Sequence, residues 1–148
     1  MKFEFSAGGL VYKKGGTKIF ILVAQHSQHH GWVFPKGLIG DKKEKETKED
    51  AALRETEEET GIKGKIIKPL QPVTYWYNLK GDPSTSSGQV KIKKTVYYFL
   101  MEYISGDTKD HDWEMENVEW IPMEDVENKL TYKSDRQVWS QAKELLNK

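Results

Sequence analysis

A short acidic segment of the chain carries the residues best suited to chemistry. Within EDAALRETEEETGI, residues 49–62, Glu55, Glu58 and Glu59 stand close together beside Arg54. Neighbouring carboxylates repel one another, and a hard divalent cation such as Mg²⁺, which prefers oxygen ligands, would offset that repulsion. A solvated acidic face on a surface helix would explain the same residues. On its own, the segment is compatible with half of a metal site or with an ordinary charged surface.

The acidic residues fall in a segment with clear helix boundaries. Thr47 is a suitable N-cap, Asp50 places an acid in the first turn, and Gly61 is a suitable terminator. We therefore predict a helix over residues 48–60. At about 100° per residue, the three glutamates share one face of this helix.

The other faces of the helix have different predicted roles. Asp50 and Arg54 are spaced as a favourable i, i+4 ion pair. The side expected to face the core carries Ala52, Leu53, Thr56 and Thr60.

The elements that position this helix are mostly strands. Residues 2–25 predict a hairpin that turns at the glycines of KKGG, because glycine permits the positive φ of a tight turn. Residues 66–79 and 89–103, rich in β-branched and aromatic side chains, predict a second pair of strands. NVEWIP predicts one more short strand.

Two helical patterns close the chain. Residues 123–130 and 134–148 predict helices, the second with Ser134 as its N-cap. Strands and helices in this order favour an α/β domain with a mixed sheet.

Composition narrows the classes of function. A chain of 148 residues predicts a single domain over residues 1–148. Lys plus Arg and Asp plus Glu balance at 23 each, so no overall charge attracts nucleic acid or a membrane. The absence of cysteine excludes a disulfide partner and thiolate chemistry. No apolar run approaches the roughly 18 residues of a membrane span, and the N-terminal residues lack a signal-peptide core, so we expect a cytoplasmic protein.

From Gly40 to Ile62 the sequence resembles the signature of the Nudix hydrolases. In that signature a glycine, a glutamate, an Arg-Glu pair, a Glu-Glu pair and a second glycine follow at fixed spacing. The matching positions are Gly40, Glu46, Arg54, Glu55, Glu58, Glu59, Gly61 and Ile62. Thr56 departs from the pattern, since the family has a bulky apolar residue there.

The first glycine of the signature has two candidates. Gly40 stands at the signature spacing, whereas Gly37 belongs to the Pro-Lys-Gly that often contains this glycine in the family. We favour Gly37 with a three-residue insertion after it. A backbone carbonyl at this glycine would face the metal.

The resemblance implies a fold and a chemistry. The fold is a Nudix-type α/β/α sandwich around a central mixed sheet, with a catalytic loop-helix-loop at residues 37–62. The reaction is hydrolysis of a nucleoside diphosphate linked to another group, with Mg²⁺ or Mn²⁺. By the same resemblance Glu58 and Glu59 bind metal, Glu55 binds metal or acts as base, and Arg54 orients the carboxylates. Glu46, Glu114 and Glu116 are possible extra acids.

Residues outside the signature are expected to choose the substrate. Aromatic and basic candidates for binding a base and a polyphosphate are Trp32, Lys36, Tyr75, Tyr77 and Lys94. The order of features is most similar to diadenosine tetraphosphate hydrolases and their diphosphoinositol-polyphosphate relatives. The resemblance therefore favours a dinucleoside polyphosphate. The alternatives are a diphosphoinositol polyphosphate, the 5′-pyrophosphate of an RNA, or a catalytically idle nucleotide-binding module.

Overall fold

The computed structural model describes residues 1–40, 45–80 and 89–148. Residues 41–44 of the predicted loop-helix-loop lie outside this part of the chain. The elements, in order, are β1 (Lys2–Gly15), β2 (Lys18–His26), β3 (Trp32–Val33), β4 (Lys36–Leu38), α1 (Lys48–Thr60), β5 (Ile62–Pro69), β6 (Val73–Lys80), β7 (Gln89–Gly106), β8 (Met115–Pro122), α2 (Val126–Lys129) and α3 (Lys133–Leu146). Single 3₁₀ turns occupy Thr108–Asp110 and Met123–Asp125.

The described strands form one mixed sheet, as predicted. Strand β1 runs parallel to β7 and antiparallel to β2 and β4. Strands β5 and β6 pair antiparallel with β7, and β8 pairs antiparallel with β2. The predicted hairpin is therefore confirmed as β1–β2, and its partner β7 reaches it through a long crossover.

Alternation along the strands creates a core on each face of the sheet. Leu10 of β1 packs in the core that contains Val138 and Trp139 of α3. Val11, its neighbour, points to the other face and packs in the core that contains Ala52 of α1. Since successive strand residues face opposite sides, one helix covers each face, which is the predicted α/β/α arrangement.

Helix α1 has the predicted limits and caps. The Thr47 side chain accepts a hydrogen bond from the Asp50 N–H at 3.0 Å, and Gly61 closes the helix with a left-handed φ of 78°. The core side differs from the prediction, because Ala51, Glu55 and Glu59 are buried as well. The helix thus turns two of its acids inward.

The C-terminal helices differ from prediction in their limits. Helix α3 begins at Lys133, and the residue before it, Tyr132, makes no side-chain capping bond; the predicted N-cap, Ser134, lies inside the helix. Asp135 supplies an acid in the first turn instead. The segment 123–130 forms a 3₁₀ turn and a single short helix. None of the described helices is both long and apolar enough to cross a membrane.

Candidate active site

Arg54 is the centre of the acidic cluster. Its Nε lies 2.7 Å from Glu46 Oε2 and its Nη2 lies 2.9 Å from Glu46 Oε1, so the pair is bidentate. Its Nη1 donates to Glu55 Oε1 at 2.8 Å and reaches Glu58 at 3.3 Å. Hydrogen bonding to Glu46 raises the pKa of Arg54 further. The predicted pair with Asp50 is wrong, because these three acids engage the guanidinium instead.

Glu46 fixes the loop that precedes α1. Besides Arg54, its Oε1 accepts a hydrogen bond from the Gly40 N–H at 3.0 Å. Its side chain is 2% exposed. With both oxygens engaged, Glu46 acts here as a positioning residue for Arg54, a role that its spacing in the sequence does not reveal.

The remaining acids differ sharply in burial. Glu55 and Glu59 are buried, whereas the Glu58 side chain is 37% exposed. Burial raises the pKa of Glu55 and, more strongly, that of Glu59, although the positive charge of Lys36 opposes the shift at Glu59. The Lys36 N–H donates to Glu59 Oε1 at 3.2 Å. Arg54 at Glu55 and Lys36 at Glu59 therefore offset the effect of burial only in part.

These residues suit a divalent cation in their chemistry. Buried carboxylate oxygens short of positive charge are the donors that Mg²⁺ and Mn²⁺ take in proteins. Within the described residues, no three acidic or histidine side chains are grouped as a ready-made ion site. Arg54 Nη1 instead donates to both Glu55 and Glu58.

The two candidate glycines have different places. A Cβ on Gly37 would lie 2.0 Å from Glu55 Cδ, so the Gly37 backbone abuts the Glu55 carboxyl group. Gly40 has a φ of 80° and is a turn residue whose N–H binds Glu46. Of the two, Gly37 is the one in contact with an acid expected to bind metal.

A cavity of about 560 Å³ adjoins the acids. Lys36 connects the acidic residues with the cavity. Its backbone N–H donates to Glu59, and the residue also lines the cavity. Tyr75, one of the predicted substrate-binding residues, also lines the cavity. Three further lining residues, not selected from the sequence, are His29, Tyr132 and Asp135.

Other predicted substrate residues lie outside the cavity lining. The Trp32 ring lies beneath Lys129, whose Nζ is 3.9 Å from the ring centroid. The Tyr77 hydroxyl is hydrogen-bonded to Glu4. Lys94 is close enough to the acids to interact with Glu59 and Glu55, although burial lowers its pKa.

Glu114 and Glu116, the two candidate acids that follow β7 in the chain, lie in different surroundings. The negative charge of Glu114 contributes to the raised pKa of both Glu55 and Glu59, so Glu114 lies near the cluster. Glu116 pairs instead with His30 Nδ1. Of these two candidates, only Glu114 is placed to act with the α1 acids.

We expect Arg54→Lys to weaken both stability and turnover. An ammonium group cannot reproduce the bidentate bond to Glu46 together with the bond to Glu55. Loss of such charge-assisted hydrogen bonds predicts a fall of about 1–3 kcal/mol in the free energy of unfolding, measured by urea titration. Arg136→Lys, the same change at a residue whose guanidinium donates to the Leu130 carbonyl and to no carboxylate of the described residues, serves as the control and should cost less. Equal losses in the two variants would contradict the role of Arg54.

Asp135 makes stability depend on pH. Burial raises the pKa of this carboxyl group to about 6 from 3.8, so its contribution is favourable below pH 3.8 and is lost as pH rises through about 6. Asn does not titrate. We therefore expect the melting temperature of Asp135→Asn, relative to the unchanged protein, to rise between pH 4 and pH 8. A relative melting temperature that is constant or falls over this range would contradict the assignment.

Comparison with known proteins agrees with this geometry. A family model described as the NUDIX domain matches residues 2–142. A protein named MutT4 from Mycobacterium tuberculosis is 34% identical over 98% of this chain and 56% of its own length. An 8-oxo-(d)GTP phosphatase from Mycolicibacterium smegmatis is 28% identical over 90% of this chain and 39% of its own length. The chain thus spans about half the length of these relatives or less.

The fold is also found in solved structures. A crystal structure of a Caenorhabditis elegans Ap4A hydrolase binary complex has a TM-score of 0.74 and 27% identity, with 97% of this chain and 98% of that chain covered. The family match extends over nearly all of the chain and includes the Arg54 cluster. The protein therefore belongs to the Nudix hydrolase family.

Proposed function

We propose that the protein is a Mg²⁺- or Mn²⁺-dependent pyrophosphohydrolase that acts on a dinucleoside polyphosphate such as diadenosine tetraphosphate. The observation that carries this proposal is that Lys36 lies between the acidic cluster and the cavity. Its backbone binds Glu59 in the acidic cluster, and the same residue lines the aromatic cavity beside it. A phosphate chain can therefore reach the acids while a nucleoside occupies the cavity.

The size of the cavity supports a nucleotide substrate. Its volume of about 560 Å³ is within the range of small-molecule sites, roughly 300–1,000 Å³. Tyr75 offers an aromatic surface for a base, and Lys36 and Lys94 offer positive charge to phosphates. The similarity to the C. elegans Ap4A hydrolase, which is 27% identical, adds to this choice.

The roles of the acidic residues follow from their placement. Glu55, Glu58, Glu59 and the Gly37 carbonyl would hold the metal, which when bound would neutralise charge that develops on the phosphate and lower the pKa of its water. Arg54 orients the carboxylates, with Glu46 anchoring Arg54. Glu55, or Glu114 beside the cluster, would accept the proton as water attacks phosphorus and a phosphoric anhydride bond breaks.

A second candidate substrate is an oxidised guanine nucleoside triphosphate. The sequence similarity to an 8-oxo-(d)GTP phosphatase favours it. Product analysis separates the candidates.

The test is chromatography of products after incubation with Mg²⁺ or Mn²⁺. Separate reactions contain diadenosine tetraphosphate, 8-oxo-dGTP, ADP-ribose, a diphosphoinositol phosphate and 5′-triphosphate RNA. ATP plus AMP from the first would support the proposal. Release of pyrophosphate from 8-oxo-dGTP alone would favour the second candidate. No product from any substrate would overturn both and favour a nucleotide-binding module.

A further inference from the structure

Asp135 lines the cavity, and its carboxyl group has no part in the proposed hydrolysis. The residue is 5% exposed, and its Oδ1 accepts a hydrogen bond from the Phe34 N–H at 3.2 Å. In the described part of the chain, the other hydrogen bond that this carboxyl group accepts comes from its own backbone N–H. A buried acid at a cavity wall therefore retains accepting capacity toward a ligand.

Three aromatic residues of the lining suit a planar base, and polar residues, among them Thr74, Ser134 and Gln137, line the cavity beside them. Tyr75 and Tyr132 line the cavity together with His29, whose Nδ1 is 2.9 Å from the Tyr132 hydroxyl oxygen. The His29 and Tyr132 rings meet edge to face at 5.4 Å. Aromatic rings of this kind bind bases through their faces without choosing among them. Any choice of base must come from a polar group at the cavity wall.

The hydrogen-bonding properties of the Asp135 carboxyl group allow it to discriminate between bases. At pH 8 its carboxyl group is ionised, since its pKa is about 6, and an ionised carboxylate only accepts hydrogen bonds. The exocyclic amino group of adenine donates, whereas the carbonyl oxygen in the same position of hypoxanthine accepts. A carboxylate beside this exocyclic position thus attracts the amino group of adenine and repels the carbonyl oxygen of hypoxanthine.

We propose that Asp135 is a specificity-determining residue, which selects an adenine-type base by accepting a hydrogen bond from its exocyclic amino group. The inference deepens the proposed function and rests on it for the position of the phosphate chain. It assigns a chemical class of nucleobase to the cavity.

The test replaces one hydrogen-bond acceptor, a carboxylate oxygen, by a hydrogen-bond donor. In Asp135→Asn, the amide oxygen can keep the bond from the Phe34 N–H, and the amide NH₂ then takes the place of the second carboxylate oxygen. We expect the unchanged protein at pH 8 to bind AMP roughly 10- to 100-fold more tightly than IMP, and the variant to lose or reverse this preference. The measurement is an NMR titration with each nucleotide, without metal.

The control variant is Asp125→Asn, which removes the same charge from an exposed position outside the cavity. Its ratio of AMP to IMP affinity should equal that of the unchanged protein. Equal affinities for AMP and IMP in the unchanged protein would overturn the inference even if Asp135→Asn failed to fold. A ratio of AMP to IMP affinity that is the same in Asp135→Asn as in the unchanged protein would also overturn the inference.

Hydrolysis distinguishes failure of this inference from failure of the proposed function. Cleavage of diadenosine and diinosine tetraphosphates at equal kcat/KM would overturn the role of Asp135 and leave the hydrolase proposal intact. Discrimination between AMP and IMP that depends on Asp135, with no cleavage of either dinucleotide, would support the base selection and overturn the hydrolase proposal.

Discussion

Replacing Glu59 by Gln is expected to lower turnover by on the order of 10²–10³, the usual cost of losing one preorganised electrostatic contact. Gln has nearly the same shape and can still accept the Lys36 N–H, which now reaches Glu59 Oε1 at 3.2 Å. Only the negative charge is lost. The measurement is kcat with diadenosine tetraphosphate at saturating Mg²⁺, together with the melting temperature.

The fold should survive this substitution, for an electrostatic reason. Burial raises the pKa of Glu59 well above its usual value, so a negative charge at this position costs the folded protein stability. A neutral Gln removes that cost, and we expect a melting temperature at pH 8 that is equal to or above that of the unchanged protein.

A neighbour on the same helix provides the matched control. Glu57 has a side chain that is 51% exposed and pairs at 3.8 Å with Lys63. Glu57→Gln removes one carboxylate from α1 at a distance from the Arg54 cluster, and its turnover should be nearly unchanged. Near-normal turnover of Glu59→Gln, or an equal loss in both variants, would remove Glu59 from the proposed site.

Local patterns explain why α1 was predictable. Thr47 and Gly61 determine the ends of the helix through bonds to residues within a few positions of them. Glu55, Glu58 and Glu59 follow the helical repeat, so their placement toward one side of α1 also follows from the sequence. The inward position of Glu55 and Glu59 does not, because burial of a charge contradicts the ordinary preference of Glu for solvent.

Interactions distant in the chain account for what sequence reasoning missed. The i, i+4 spacing predicted an ion pair between Asp50 and Arg54. The Arg54 guanidinium instead binds Glu46 through two hydrogen bonds, and a bidentate pair of this kind is stronger than an exposed ion pair on a helix. Asp135 reaches the cavity through its bond with Phe34, 101 positions away in the chain. No local sequence pattern predicts such a contact, so the residues that line the cavity could not be identified from the sequence alone.

Gly37→Ala is expected to impair turnover by on the order of 10², with little change in stability. The added Cβ would lie 2.0 Å from Glu55 Cδ, and the three atoms nearest to it all belong to the Glu55 carboxyl group. A flexible side chain gives way more easily than backbone. Glu55 would therefore move away from its present position, and a displacement of about 1 Å can cost 10²-fold in rate.

Gly40→Ala separates catalytic from structural effects at the two glycines. Gly40 has a φ of 80°, a conformation that costs a residue with a Cβ roughly 1–2 kcal/mol. Its N–H bond to Glu46 can remain. We expect a lower melting temperature for Gly40→Ala with turnover mostly retained, the reverse of Gly37→Ala. If Gly40→Ala instead lost the greater part of its turnover and Gly37→Ala did not, Gly40 would be the glycine that faces the metal, and the loop would need no three-residue insertion.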